Sequence, residues 1–293
     1  MTALTPDLST AELLTQLGLP PGDDYALTPS PLRFPDGAHY RVEIPSVEGP
    51  RCLEAVLREA ARLDVPVARV SQGTGIGLLT DSELKDMVDL AAEAGVELSL
   101  FARPCAAWDT SAMARSPSGA VIDEIRRAAD LGVRSVLIAD IGVLAVFDRL
   151  REGGALPANM SAKVSVMLPA ANPAAARTMA AMGAGTLNLP TDLTVPQIAA
   201  IRAAVDIPLD IYIESPDNLG GFVRHYELPR LVTVAAPVYA KFGLRNAPDV
   251  YPAGSHLEDT VVALSKERVR RARLALDLLA RSGSDARGSI SGH

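Results

Sequence analysis

Cysteine is almost missing: Cys52 and Cys105 are the whole complement of 293 residues. Two thiols cannot build a disulfide framework or supply four ligands to zinc or an iron–sulfur cluster. Lysine is scarce as well, with Lys85, Lys163, Lys241 and Lys266 among 28 basic residues, so the places of those four carry information. No apolar run approaches the ~20 residues needed to cross a bilayer, and the opening residues lack the basic, apolar, small-residue order of a secretory leader. Net positive charge is lacking too. At −7, with a pI near 5.2, the chain has no basic face to displace counterions from a phosphate backbone. These absences leave a cytoplasmic protein with a small-molecule substrate, no nucleic-acid or membrane partner, and room for assembly into a homo-oligomer.

What is present suits a large core. Hydrophobic residues make up 48% of the chain and mean hydropathy is +0.17, which excludes a disordered chain. Strand-like runs at His39–Pro45, Val67–Ser71, Glu97–Ala102, Ser135–Ala139, Ala162–Met167, Thr186–Leu189, Leu209–Glu214 and Leu231–Ala235 alternate with helix-like segments. Thr80-Asp81-Ser82-Glu83 is a capping box ahead of Leu84–Ala94. Asn172-Pro173 opens a helix to Met182, Asp192 to Pro196 opens another, and Gly95, Gly132 and Gly183 stand where helices stop. The last helix spans about Leu257 to Arg281, and its Arg268, Arg270, Arg271 and Arg273 read as a solvated face.

Eight βα units predict an α/β fold, a (β/α)8 TIM barrel, with a doubly wound open sheet as runner-up because periodicity does not reveal closure. The expected organisation is an N-terminal extension over 1–36, the barrel over 37–282 and a disordered tail over 283–293.

Barrel chemistry sits at the C-terminal ends of the strands, and polar residues inside parallel strands need a reason. By two-residue alternation Arg41 and Glu43 share a face of the first strand, Lys163 and Ser165 a face of the fifth, and Asp210, Tyr212 and Glu214 a face of the seventh. Arg103 and Asn188 end strands three and six, Asp140 follows strand four, and Lys241, Arg245 and Asn246 come just past strand eight. Glu43, Lys163, Glu214, Asp140 and His225 are therefore the candidate catalytic groups. Arg41, Gln72, Arg103, Ser165, Asn188, Lys241, Arg245 and Asn246 are the candidate substrate contacts. A buried Lys163 can be a Schiff-base nucleophile, a base of lowered pKa, a fixed charge, or half of a structural ion pair with Glu43 or Glu214. Ser71-Gln72-Gly73-Thr74-Gly75-Ile76-Gly77 reads either as a tight βα loop or as an anion nest. Glu214, Asp217 and His225, joined by Glu43 or Asp140, have the donor types for a divalent metal, although no HxH or HExxH spacing accompanies them. Trp108, within the run Ala106 to Ser116, belongs to a long loop that could cover the mouth.

Three segments carry a family resemblance. Ile138-Ala139-Asp140-Ile141-Gly142-Val143-Leu144 resembles the SDxG segment of the bacterial peptidase U32 family. Gly183 to Thr194 is similar to that family's strand and acidic-Leu-Ser/Thr helix start, and Leu209–Glu214 to its next strand. The resemblance implies a TIM-like barrel, a peptidase or RNA-modification role, and Asp140 as a shared site residue. It does not extend to the family's His-Gly-x-x-Cys signature, in whose place stands Glu214-Ser215-Pro216-Asp217, nor to its further cysteines.

The functional expectation is a U32-peptidase-like barrel enzyme of lyase or hydrolase type, cleaving or rearranging a bond in a small anionic substrate with a Glu/Lys/Arg constellation at the mouth. The alternatives are a non-catalytic small-molecule binder and a U32-type peptidase or RNA-modification accessory protein.

Overall fold

A computed structural model describes residues 8–22, 27–103, 118–289 and 292. After a short capped helix α1 (Thr10–Gln16), the chain makes eight strands: β1 (Tyr40–Pro45), β2 (Val67–Ser71), β3 (Glu97–Ala102), β4 (Ser135–Ile138), β5 (Ser161–Val164), β6 (Ala184–Asn188), β7 (Leu209–Glu214) and β8 (Val238–Phe242). All neighbours pair in parallel and β8 returns to β1, so the sheet is a closed barrel. The helices α2 (Pro50–Leu63), α3 (Asp81–Ala94), α4 (Ser118–Asp130), α5 (Ile141–Glu152), α6 (Pro173–Ala181), α7 (Val195–Ala204), α8 (Leu228–Val234) and α9 (Glu258–Arg281) follow the strands in turn. The fold is a (β/α)8 TIM barrel.

Local chemistry explains most boundaries. Thr80 and Glu83 cap α3 reciprocally, and Gly95 ends it at φ 66°, a left-handed turn that a side chain would resist. Asn172 caps α6, with Pro173 in its first turn. α7 opens within the Asp192–Pro196 segment, at Thr194, boxed with Gln197 and followed by Pro196 in the first turn.

The eighth strand differs from expectation. Leu231–Ala235 belongs to α8 and its end, because Pro229 starts a helical turn and Leu228, Leu231, Val232 and Val234 form a buried helical face. A short, mostly apolar run fits a buried helix as well as a buried strand, and Thr233 within it donates to the Pro229 carbonyl four residues back (2.8 Å), as a helix allows. The strand is Val238–Phe242, so Lys241 lies on β8 and not beyond it. The remaining seven strands lie within three residues of their expected ends.

The lower, N-terminal end of the barrel is closed by both ends of the chain. Phe34 packs edge-on against Tyr239 at 5.1 Å. The described part of the 283–293 tail is seated rather than loose: the His39 N–H donates to the Arg287 carbonyl (2.7 Å) and the Ser289 N–H to the Tyr40 carbonyl (3.0 Å). Arg41 donates to Ser289 Oγ (3.0 Å) and to the Gly292 carbonyl (2.9 Å). A buried guanidinium and the free backbone of β1 both need partners, and this segment supplies them. Among the described residues no helix is long and apolar enough to cross a membrane.

Candidate functional site

The barrel interior is charged. Glu43 of β1 has no exposure and accepts from Arg69 Nε (2.9 Å) and Nη2 (2.6 Å), from Ser71 (2.6 Å) and from Lys163, whose Nζ lies 2.5 Å from both carboxylate oxygens. Lys241 Nζ is 3.4 Å from Glu43 Oε1. Asp210 of β7 contacts Arg69, accepts from Thr186 (2.6 Å) and lies 3.5 Å from Lys163. Burial works against ionised Glu43, but Arg69, Lys163 and Lys241 outweigh it and hold the carboxyl well below the usual carboxylate range. Lys163 moves down from the lysine range, first through burial and then through Arg69 beside it, with Glu43 opposing. Arg69 and Lys241 press like charge on it, while Glu43, Asp210 and, 3.7 Å from Arg69, Glu97 offset that charge. Burial also pulls Lys241 down, yet Glu43 and Tyr212 raise it further, so it is an ammonium at neutral pH.

Above this layer opens a cavity of about 440 Å³ at the C-terminal mouth. Its polar lining is Lys241, Asn188, Ser165, Ser46, Tyr212, Asn218, the cations Arg103 and Arg268 and the carboxylates Asp217 and Asp249, and Phe101, Leu137, Val166, Met167, Leu219, Leu244, Val250 and Tyr251 make much of the rest. Lys241 Nζ sits 4.5 Å from the centre of the Tyr212 ring. Arg103 reaches over from β3, hydrogen-bonds the Gly73 carbonyl and lies 5.6 Å from the Tyr251 ring centre. Tyr251 presses on Gly73, where an added Cβ would come within 2.6 Å of the ring, so this loop position needs glycine for space. Lys163 and Glu43 lie beneath the cavity and do not line it.

Lys241, Asn188, Ser165 and Arg103 therefore meet at one cavity, and Glu43 and Lys163 support it from below. The other candidates do not join them. Glu214 leaves the barrel interior because register slips between Tyr212 and Glu214, pairing Glu214 with outward-facing Phe242. It is buried against His225 (3.2 Å), Arg271 (3.3 Å) and the Arg245 N–H (3.0 Å), under α9. Asp140 is the N-cap of α5, accepting from the Val143 N–H (2.9 Å). Arg41 belongs to the closed lower end, opposite the mouth. Gln72 braces its own loop through both backbone groups of Gly75. Arg245 and Asn246 are exposed on the rim, where Arg245 lies 3.9 Å from Asp217 and the Asn246 N–H donates to it.

The anion nest is already filled. The N–H groups of Gly73 and Thr74 donate to the Glu48 carboxylate at 3.0 and 2.8 Å. The expected metal donors Glu214, Asp217 and His225 form no cluster with Glu43 or Asp140, and among the described residues no group of three or more such side chains could hold a metal. Trp108 and the loop Ala106 to Ser116 lie outside the described residues.

Sequence reasoning misses Arg69, although a single charge inside Val67–Ser71 was a usable signal. It places Arg268 on a solvated face, whereas Arg268 is buried, donates to Ser265 (3.1 Å) and lines the cavity. Tyr251 lies after the last strand and carries no sequence signal.

A closed eight-stranded barrel with a cavity at its C-terminal mouth defines a TIM-barrel protein. The model of peptidase family U32 matches residues 68–215, which is β2 through the end of β7. The chain belongs to that family. Its fold is similar to that of the U32 peptidase Mk0906 (18% identity, 64% of this chain and 73% of that one, TM-score 0.41). It is also similar to the YdjI aldolase from Escherichia coli K12 (18%, 84% and 93%, TM-score 0.50). A truncated 3-deoxy-D-arabino-heptulosonate 7-phosphate synthase from Thermotoga maritima is similar as well (15%, 86% and 90%, TM-score 0.50). No protein of curated function matches the sequence.

Proposed function

We propose that this U32-family barrel is an enzyme that cleaves or rearranges a bond in a small anionic molecule held at the mouth, by lyase-type chemistry. Lys241 carries the proposal: an ammonium buried to 2% exposure, kept charged by Glu43 beneath it and facing the cavity. Such a fixed charge in a water-poor site stabilises an oxyanion as it develops, without reorganising at the moment of reaction. Arg103 on the opposite wall holds a second negative group of the substrate. In a retro-aldol cleavage, the substrate's β-hydroxyl gives its proton to water in the cavity and becomes the carbonyl of one fragment, while the pair of the broken C–C bond forms the enolate of the other, whose oxygen faces Lys241. Glu43, held ionised by three cations, is a weak base and serves as the counter-ion that keeps Lys241 protonated. The lyase class also accords with the aldolase and synthase barrels that share the fold. The net charge of −7 disfavours nucleic acid, and the cations on the cavity wall are what draw a small anion.

A second reading, imine formation at Lys163, has one observation in its favour: the amine's lowered proton affinity makes it a better nucleophile. Lys163 lies under the Lys241 layer, however, and the first reading leaves it there.

Calorimetric titration with pyruvate and with inorganic phosphate tests the anion role. K241M is expected to weaken binding about tenfold or more, the loss of one charge-assisted hydrogen bond, and unchanged affinity would remove Lys241 from the site. Borohydride added with pyruvate is expected to leave the protein's mass unchanged. A reduced adduct on Lys163 would install the imine reading instead.

A further inference from the structure

We propose that the substrate carries a hydroxyl beside its anionic oxygen, as a 2-hydroxy acid does, and that Asn188 selects it. The proposal rests on Lys241 being the anion anchor. Asn188 closes β6 on the cavity wall at 1% exposure. Its Oδ1 is buried without a hydrogen-bond partner among the described residues. Buried amide groups are nearly always paired within the protein or with ordered water, so an unpaired one on a cavity wall points to a group that arrives with the ligand.

No side chain among the described residues bonds it, and Thr186, two residues earlier on β6, donates to Asp210 instead (2.6 Å). In register, Asn188 pairs with Asp210 and Tyr212 with Lys241, so amide and ammonium flank β7 at successive inward positions of that strand. A ligand spanning them has an anionic oxygen at Lys241 and a polar group close by. A hydroxyl both donates and accepts, so it satisfies the amide whichever end the amide presents. A methylene leaves the amide unpaired, and a carbonyl serves only one of its ends.

The experiment titrates 3-phenyllactate (each enantiomer) and 3-phenylpropionate into the wild type, N188L and K241M. These acids also suit the apolar wall formed by Leu137, Val166 and Leu244. The wild type is expected to favour one phenyllactate enantiomer over phenylpropionate about tenfold, the effect of one hydrogen bond. N188L is expected to bind both acids with the wild type's phenylpropionate affinity and to melt no lower than the wild type. K241M is expected to weaken both acids by the same factor and to keep the preference. A wild type without preference, or a preference that survives in N188L, overturns the role of Asn188 while Lys241-dependent binding stands. A wild type that binds neither acid overturns the anion anchor, and this inference with it.

Discussion

Glu43 and Glu214 invite comparison. Both are carboxylates of barrel strands, both are without exposure, and each meets at least one cation. Glu43 stands at the centre of the barrel among Arg69, Lys163 and Lys241, directly below the cavity. Glu214 stands outside the wall, between His225, Arg271 and α9. One slipped residue at the end of β7 separates the two fates, since alternation puts every second side chain on one face until the ladder is broken. A buried acid at a strand end is thus no guide to chemistry until the side of the sheet is known.

The largest test of that contrast is E43Q. Removing the charge leaves Arg69, Lys163 and Lys241 facing one another in a dry interior, and urea unfolding should show a loss of about 3–5 kcal/mol. The E43Q/K163M double variant should lose less than the two single variants added together, because one surplus cation goes with the carboxylate. Strict additivity would mean that the two groups do not share a network.

Titration separates the regions next. Glu43 is depressed in the folded state, so its stabilisation is complete above the ordinary carboxylate value and fades as pH falls through the lowered native one. Urea midpoints below neutral pH should therefore drop steeply in the wild type and less steeply in E43Q. Lys163 acts in the opposite range. Between its lowered native value and the ordinary 10.5 the unfolded chain binds more protons, so its contribution makes stability rise with pH there. K163M should flatten that rise, and an unchanged slope would show Lys163 to be an ordinary ammonium.

The smallest effect belongs to E214Q. His225 and the Arg245 N–H keep hydrogen-bond partners in the amide, and Arg271 is a third exposed, so about 1–3 kcal/mol is expected. Phosphate and pyruvate binding at the mouth should not change. A loss of binding there would join the two regions that the fold keeps apart.

How much was legible follows from the same physics. The seven mixed or alternating strands were readable because their apolar runs are bounded by caps and glycines. Leu231–Ala235 was not, since four apolar residues around Thr233 are too short a run to show a period. Within the site, Lys163, Asn188 and Arg103 stood out as polar residues in or at the ends of strands that should be apolar, and Lys241 as one of only four lysines. Arg268 and Tyr251 reach the cavity from α9 and from the segment after β8, so only tertiary packing reveals them. The loop at Gly73 looked open to an anion, but Glu48, 25 residues earlier in the chain, already occupies its donors.

The seated residues 287–289 and 292 have a consequence for traffic. With Arg41 held by Ser289 and Gly292 at the lower end, and the cavity above Lys241, a molecule enters the described barrel from the top. Below, Glu97 is partly exposed and lies 3.7 Å from Arg69, so a ligand seated above need not cut the buried charges off from water. Proton exchange at Lys241 should slow when the upper cavity is filled.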